Sequence, residues 1–518
     1  AANDGLLSED LSDFNLAKGT TNFTLNGGRN EYAIMGWFYR AAYDYKGKYL
    51  AEVNGRYDGT SRFPRGKRYG FFPSFSAAYR ISEEAFFEPL RKTVDNLKIR
   101  LSYGSLGNQQ IGYYDFIQTI TTKGSMGDYS FDGTILGQHA TVSDPVSGNQ
   151  TWEKVISKNL GADLNMFSNR LSLTADFYIR DTKGILGKGK SLPSIYGANE
   201  PQVNSNNLRT KGYELVLGWR DSFKLAGSTF SYGITGTFSD YTAEYTKCDN
   251  PSGLIGGPYV GKKYGEIWGY KVDGLFRNDE EAAEYASRVD LSKVAAGYYS
   301  ATGAYGKGVR GGDIKYLDLD GSGIVDGGKG TLEDPGDRRV IGNSSPRYQY
   351  GLTLNLSWYG FDLSVFMQGI GRLDWYPGAD NLRFWGPYSR PYATFIPKNF
   401  MSQVWSESNP DAYLPRARAY TSLNSTQGTA YYTNDRYLQN LAYCRLKNLT
   451  LGYTIPKRLT SKVGIKECRV YFSGENLATW SALKNDFLDP EQAAADSDKK
   501  SNVYPWCRTY SVGLNLTF

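Results

Sequence analysis

Residues 169–180 read NRLSLTADFYIR, and the apolar and polar side chains alternate through the whole stretch. Leu171, Leu173, Ala175, Phe177 and Ile179 fall on one side, whereas Arg170, Ser172, Thr174, Asp176 and Arg180 fall on the other. A period of two means an extended strand with one apolar and one polar face. The pattern recurs: Tyr213, Leu215, Leu217 and Trp219 oppose Glu214 and Arg220; Tyr350, Leu352, Leu354, Leu356 and Trp358 oppose Thr353, Asn355 and Ser357; Leu97, Ile99, Leu101 and Tyr103 oppose Lys98, Arg100 and Ser102. A soluble sandwich buries such an apolar face in its core, while a membrane barrel turns it to lipid and keeps the polar face in a wet lumen. The segments run for ~10 to 14 residues, against ~5 to 6 for ordinary globular strands and ~9 to 11 for a tilted strand that crosses a bilayer. Tyr and Trp stand at segment ends, where a girdle would meet the interfaces, and full charges sit in mid-strand. These features predict an all-β, transmembrane, antiparallel β-barrel.

Composition agrees with that prediction. Among 518 residues there are 59 Gly, 42 Tyr and 10 Trp, but only 5 Met, 4 Cys and one His. No apolar run approaches the ~18 residues of a membrane-spanning helix. Aromatics at 15% argue against disorder. Cys248, Cys444, Cys468 and Cys507 form no CxxC pair, and His139 alone cannot build a multi-histidine metal site. The net charge of +6 is spread without basic runs, so no nucleic-acid partner is expected. The first ten residues, AANDGLLSED, lack the charged and apolar regions of a signal peptide.

Loop lengths set the direction of the strands, because outer-membrane barrels have short periplasmic turns and long extracellular loops. Residues 243–346, 373–440 and 478–507 are expected outside, with GEIWGYKVDGLF forming a local strand above the membrane. Shorter outer loops are expected at 105–151 and 183–207. Periplasmic turns are expected at Ser168-Asn169, at 221–227, at Tyr359-Gly360 and at 456–466, and SEEAFFEPLRKTVDN reads as one short helix. The count is about 13 strands, with a further one expected near residues 14–25. An open edge in lipid would leave backbone groups unpaired, so all 518 residues read as part of one barrel whose remainder is supplied elsewhere.

Seven blocks spread in order along the chain carry a family resemblance. They are YDYKGKYLAEVNGRYDGTSRF, YGFFPSFSAAYRISEE, LKIRLSYGSLGNQQIGYY, GDIKYLDLDGSGIVD, RLKNLTLGYTIPK, RVYFSGENLATW and the terminal RTYSVGLNLTF. Together they resemble the C-terminal part of the SusC/RagA family of TonB-dependent outer-membrane transporters. The resemblance implies a 22-stranded barrel, of which this chain would supply the last 13 or 14 strands, with the N-terminal plug and first strands absent. It also implies a Gram-negative outer-membrane location in contact with lipid, energy from the TonB–ExbB–ExbD complex, and a SusD-like surface lipoprotein partner. Import of oligosaccharides, or alternatively oligopeptides, is the implied activity, with no catalysis. The rival from another class is a surface carbohydrate-binding β-sheet protein or hydrolase.

Four motifs bear on sites. The ending Tyr510, Val512, Leu514, Leu516, Phe518 is like the signal read by barrel-assembly machinery, with Phe518 as its terminal aromatic. Asp318, Asp320, Ser322, the Ile324 carbonyl and Asp326 occupy positions 1, 3, 5, 7 and 9 of a calcium-loop pattern. Lys329 stands at the twelfth position, so a carboxylate from Glu333, Asp334 or Asp337 would have to complete the site. GILGKGKS, residues 184–191, matches a phosphate-loop spacing but is followed by Pro193 rather than a helix, and reads as a flexible loop. Finally, WYPGADNLRFWGPYSRPYATF offers Trp375, Tyr376, Asn381, Arg383, Trp385 and Tyr388 as ligand-binding candidates in an outer loop, by stacking on sugar rings and hydrogen bonding to hydroxyls. The competing reading is that these side chains pack the loop.

Overall fold

In a computed structural model, the alternating segments form one antiparallel sheet of thirteen strands, each paired with its neighbours in the chain. The structure describes residues 4–6, 17–18, 30–123, 130–131, 134–135, 139–190, 192–299, 308–390, 392, 394, 396, 398–418, 422–423, 428–485, 488–495, 504 and 506–518. The strands are β1 (Ile34–Tyr45), β2 (Tyr49–Thr60), β3 (Tyr69–Arg80), β4 (Val94–Asn108), β5 (Glu153–Met166), β6 (Leu171–Lys188) and β7 (Gln202–Leu225). They continue as β8 (Ser228–Lys247), β9 (Arg347–Trp358), β10 (Phe361–Arg372), β11 (Tyr443–Thr454), β12 (Glu467–Ser481) and β13 (Thr509–Thr517). The strand expected near residues 14–25 falls almost wholly outside the described residues; Ala17–Lys18 pairs with Asp4–Leu6.

The burial pattern separates barrel from sandwich. Leu101, Leu160, Phe177 and Leu217, all on the apolar face, are 52–55% exposed. Arg100 and Asp176, on the polar face, are covered to 30% and 19% exposure. A sandwich would show the reverse. Aromatic rings mark both edges of the apolar face. On β1–β3, Tyr45, Tyr49 and Tyr79 stand together near the Lys46-Gly47 turn, and Trp37, Tyr57 and Tyr69 stand together at the other end. Eight residues separate Tyr49 from Tyr57, which is ~27 Å along a strand and ~21 Å across a bilayer at a tilt of ~40°. Phe177, Tyr213, Phe238 and Tyr348 continue the outer girdle across β6–β9. Phe167 with Trp219 and Phe361 with Tyr453 continue the periplasmic one.

Two periplasmic turns need only two residues, Ala226-Gly227 and Tyr359-Gly360, and a third, Lys46-Gly47-Lys48, needs three; the first two positions of each have positive φ. Such turns match the twist of the strands they join. The expected turn at 221–227 therefore shrinks to Ala226-Gly227, because Phe223 and Phe230 pack against each other on the paired strands. The expected helix at SEEAFFEPLRKTVDN is instead two 3₁₀ turns, Ile81–Glu83 and Ala85–Leu90, after which Val94 already enters β4. Pro89 lacks the N–H that an α-helix interior needs. The expected loop at 183–207 is mostly paired hairpin, since Lys188 still faces Gln202. A bulge at Gly184 interrupts the ladder there, and the Asn207 side-chain Oδ1 accepts the Gly184 N–H while the Asn204 side-chain Nδ2 donates to the Gly184 carbonyl.

Candidate functional site

On the lumen side the wall carries ion pairs held in place by glycine. Arg100 donates to both Asp163 (2.9 and 3.1 Å) and Asp176 (3.1 and 3.0 Å). It reaches Asp176 by lying across Gly161, the residue between them on β5, where a Cβ would come within 2.7 Å of the guanidinium. Arg469 crosses Gly452 to Asp362 in the same way. A tyrosine does likewise where Tyr471 lies over Gly513. The glycine and tyrosine excess of the sequence thus has a shared structural use, a flat side chain over a bare strand position.

Above the outer girdle, the described residues of three long connections, 248–346, 373–442 and 482–508, build one lobe. Their shared core includes Phe276, Tyr298 and Tyr316 from the first, Trp385, Trp405 and Tyr437 from the second, and Leu488 and Ala493 from the third. Short ribbons frame it: Glu266–Tyr270 with Arg338–Asn343, Val272–Leu275 with Ile314–Tyr316, and Asp374–Trp375 with Gln439–Asn440. GEIWGYKVDGLF accordingly forms two strands. The longest helix of the lobe, α1 (Asp279–Ala286), is N-capped by Asn278, whose side chain accepts from the Glu281 N–H, while the Glu281 carboxylate accepts from the Arg277 N–H. Arg445 of β11 fastens the third connection to the wall through Asp489 (2.6 Å) and Glu491 (2.7 Å).

Inside this lobe lies a fully buried ion pair. Arg418 holds Asp313 through two hydrogen bonds of 2.9 and 2.5 Å, with its guanidinium over the Tyr298 ring at 4.2 Å. Burial pushes the Asp313 carboxyl above its ordinary range, with Arg418 opposing.

The residues singled out from the sequence are brought together, but inward. Trp375, Asn381, Trp385 and Tyr388 are buried in the lobe core. Asn381 caps the turn Leu382–Trp385 by accepting from the Phe384 N–H, and the Tyr388 hydroxyl donates to the Pro415 carbonyl. Arg383 is half-buried, and its carbonyl accepts from Asn485. Tyr376 alone of the six borders a cleft of about 530 Å³, whose walls also include Trp268, Tyr431, Tyr432, Lys329 and Arg338. Tyr431 is 40% exposed and meets Tyr432 edge-on at 5.5 Å, while the Tyr432 hydroxyl is tied to the Lys293 carbonyl. Sequence reasoning did not single out these five as site residues; they lie on segments up to 164 residues apart (268 to 432), and only the Tyr431-Tyr432 doublet was visible as a local signal.

The acidic loop is assembled in part: of its five expected positions Asp318 and Asp320 come together, and Ser322, Ile324 and Asp326 are not in the carboxylate group. Carboxylate oxygens of Asp318, Asp320 and Asp337 lie within 4.8 Å of one another. Asp337 is fully buried and accepts from the N–H groups of Leu319 (2.6 Å) and Asp326 (2.9 Å). Burial raises its carboxyl, while these N–H groups oppose the shift. Ser322 donates to the Ile324 carbonyl, and Asp326 accepts from the Gly328 N–H. Phe518 ends the chain on the apolar face, exposed, with its carbonyl accepting from Lys466.

A long-stranded sheet with lipid-facing apolar residues, a charged lumen wall and a packed extracellular lobe defines an outer-membrane β-barrel receptor. Residues 3–477 match the family described as TonB dependent receptor-like, beta-barrel, and the chain belongs to that family. It is 26% identical to TonB-dependent receptor P3 of Formosa agariphila over 99% of its length and 48% of that protein's. It is 23% identical to TonB-dependent receptor SusC of Bacteroides thetaiotaomicron, covering 94% of this chain and 44% of SusC. The chain spans about half the length of the curated relatives it matches. Among solved structures, the RagAB peptide transporter superposes with a TM-score of 0.70 at 21% identity, over 99% of this chain and 50% of that one.

Proposed function

We propose that this chain forms the C-terminal wall and extracellular lobe of a SusC-like importer of oligosaccharides. In this reading it works with a SusD-like lipoprotein, an N-terminal plug and barrel portion, and the TonB–ExbB–ExbD complex. The observation that carries the reading is the aromatic-walled cleft on the lobe, lined by Trp268, Tyr376, Tyr431 and Tyr432. Exposed Tyr431 offers a flat face for a sugar ring, and Lys329 and Arg338 offer donors for hydroxyls. Oligopeptide import is the second reading. The same two cations would serve a peptide carboxylate, and the RagAB transporter of like fold is described as a peptide transporter.

Tyr431→Ala in the intact transporter is expected to raise the concentration for half-maximal uptake about three- to tenfold, whereas Tyr431→Phe keeps the wild-type value. Calorimetric titration with neutral oligosaccharides and with short peptides separates the two substrate readings. A Tyr431→Ala protein that binds every responding compound as wild type does would remove the cleft from the substrate path.

For the acidic loop, calcium is the proposed ion, because three converging carboxylates of hard-oxygen character suit it. Asp337 would then replace the missing twelfth-position glutamate. Adding a chelator is expected to lower the melting temperature of the wild-type lobe but not of an Asp337→Asn variant; equal curves with and without chelator in the wild type would dismiss the ion.

A further inference from the structure

The lipid face carries a basic patch at its extracellular edge, away from the cleft of the lobe. Cross-strand register puts Lys158, Ile179 and Lys211 side by side on β5, β6 and β7, one step beyond the Leu160–Phe177–Tyr213 row of the apolar belt. Four residues further along each strand, Lys154 and Lys183 face each other directly on the same side. Like charges directly opposite are unfavourable unless an anion sits between them. All four lysines are exposed. Among the described residues none of the four makes a direct ion pair; the nearest carboxylates, Asp181 between the two rows and Glu244, act on them only through space, being paired with Arg209 and Lys263, while Asp240 is paired with Arg347. A groove of about 530 Å³ runs from Leu101, Leu160 and Phe177 to Lys158, Lys211 and the paired Arg347 and Asp240.

Depth fixes what can fill this groove. Lys211 lies eight residues from Trp219 of the periplasmic girdle, ~27 Å along the strand and ~21 Å across the bilayer at a tilt of ~40°. That is the outer edge of the hydrocarbon layer, where cations are tolerated and lipid headgroups begin. We propose that the patch binds an outer-leaflet lipid with a phosphorylated headgroup. Its acyl chain lies over Leu101, Leu160 and Phe177, and its phosphate rests between Lys158 and Lys211, with Lys154 and Lys183 around the remaining headgroup oxygens. This requires only the membrane orientation of the barrel and is independent of the substrate reading.

The test uses the full-length transporter, extracted in neutral detergent, stripped of lipid and titrated with dioleoyl phosphatidic acid under native mass spectrometry. Wild type is expected to retain phosphatidic acid in preference to dioleoyl phosphatidylcholine, and inorganic phosphate is expected not to displace it. Lys158→Gln/Lys211→Gln should weaken phosphatidic acid about thirtyfold, as two lost headgroup cations imply. Lys158→Arg/Lys211→Arg should retain it, and heat-modifiable migration should be the same for all three proteins. Equal affinity in the glutamine variant, or no preference over phosphatidylcholine, would overturn the proposal. Displacement by inorganic phosphate would overturn it in favour of a soluble-phosphate site.

Discussion

Replacing Arg418 with alanine is expected to unfold the extracellular lobe while the barrel wall stays folded. Asp313 and Arg418 are 0% and 4% exposed, and the arginine supplies the only ion pair that Asp313 makes among the described residues. Removing one partner of such a pair strands the other charge and costs about 3–5 kcal/mol. The barrel is insulated from that loss because its ladder hydrogen bonds run strand to strand without passing through the lobe. A pH dependence follows. Burial already raises the Asp313 carboxyl, and loss of the opposing Arg418 raises it further. A carboxyl whose folded value lies above its unfolded value of ~3.9 gives its full stability below that unfolded value, and loses it as pH rises through the folded value. The Arg418→Ala lobe should therefore resist protease better at pH 5 than at pH 8. Limited proteolysis of the intact transporter in outer-membrane vesicles reads this, with heat-modifiable migration as the barrel control. Asp313→Leu/Arg418→Met should recover much of the loss, since no buried charge remains. Full protease resistance of Arg418→Ala at pH 8 would mean that the pair does not hold the lobe.

The barrel wall was legible because its signal is local and repeated. In NRLSLTADFYIR each residue's face follows from its neighbours alone, and the structure pairs Leu171 to Arg180 in unbroken register with β5 and β7. Strand ends were less legible, because they depend on side chains from the partner strand. Nothing in GILGKGKS says that Asn204 and Asn207 will satisfy the bulge at Gly184 and let pairing continue to Lys188. The lobe was legible only as composition. An aromatic-rich segment can stack on ligands or on itself, and the choice is made by distant residues, Phe276, Tyr298 and Tyr316 before it and Trp405, Leu414 and Tyr437 after it, which share one buried core with Trp385. The acidic loop lies between these extremes: its first five positions follow a local spacing, but Asp337 arrives from beyond the spacing through a fold-back that pairs Asp337 with Asp326.

Trp385→Ala is expected to cost the lobe about 3–5 kcal/mol, the range for truncating a buried large aromatic. Trp385 is 0% exposed and packs edge-on against Phe384 at 4.7 Å and Tyr437 at 5.0 Å. Its indole N–H has no hydrogen-bond partner among the described residues, so Trp385→Phe removes area but no hydrogen bond and should cost much less. The distinction between packing and ligand contact then becomes measurable. If Trp385 only packs, alanine should lower the denaturant midpoint for lobe proteolysis and reduce uptake of every substrate together, while phenylalanine largely preserves both. Tyr431→Ala should behave in the opposite way, leaving the lobe's midpoint unchanged and weakening only the compounds that stack in the cleft. A Trp385→Ala protein with a wild-type midpoint and selectively lost binding would return Trp385 to the ligand contacts, because a side chain that supports the core cannot be removed without the core softening.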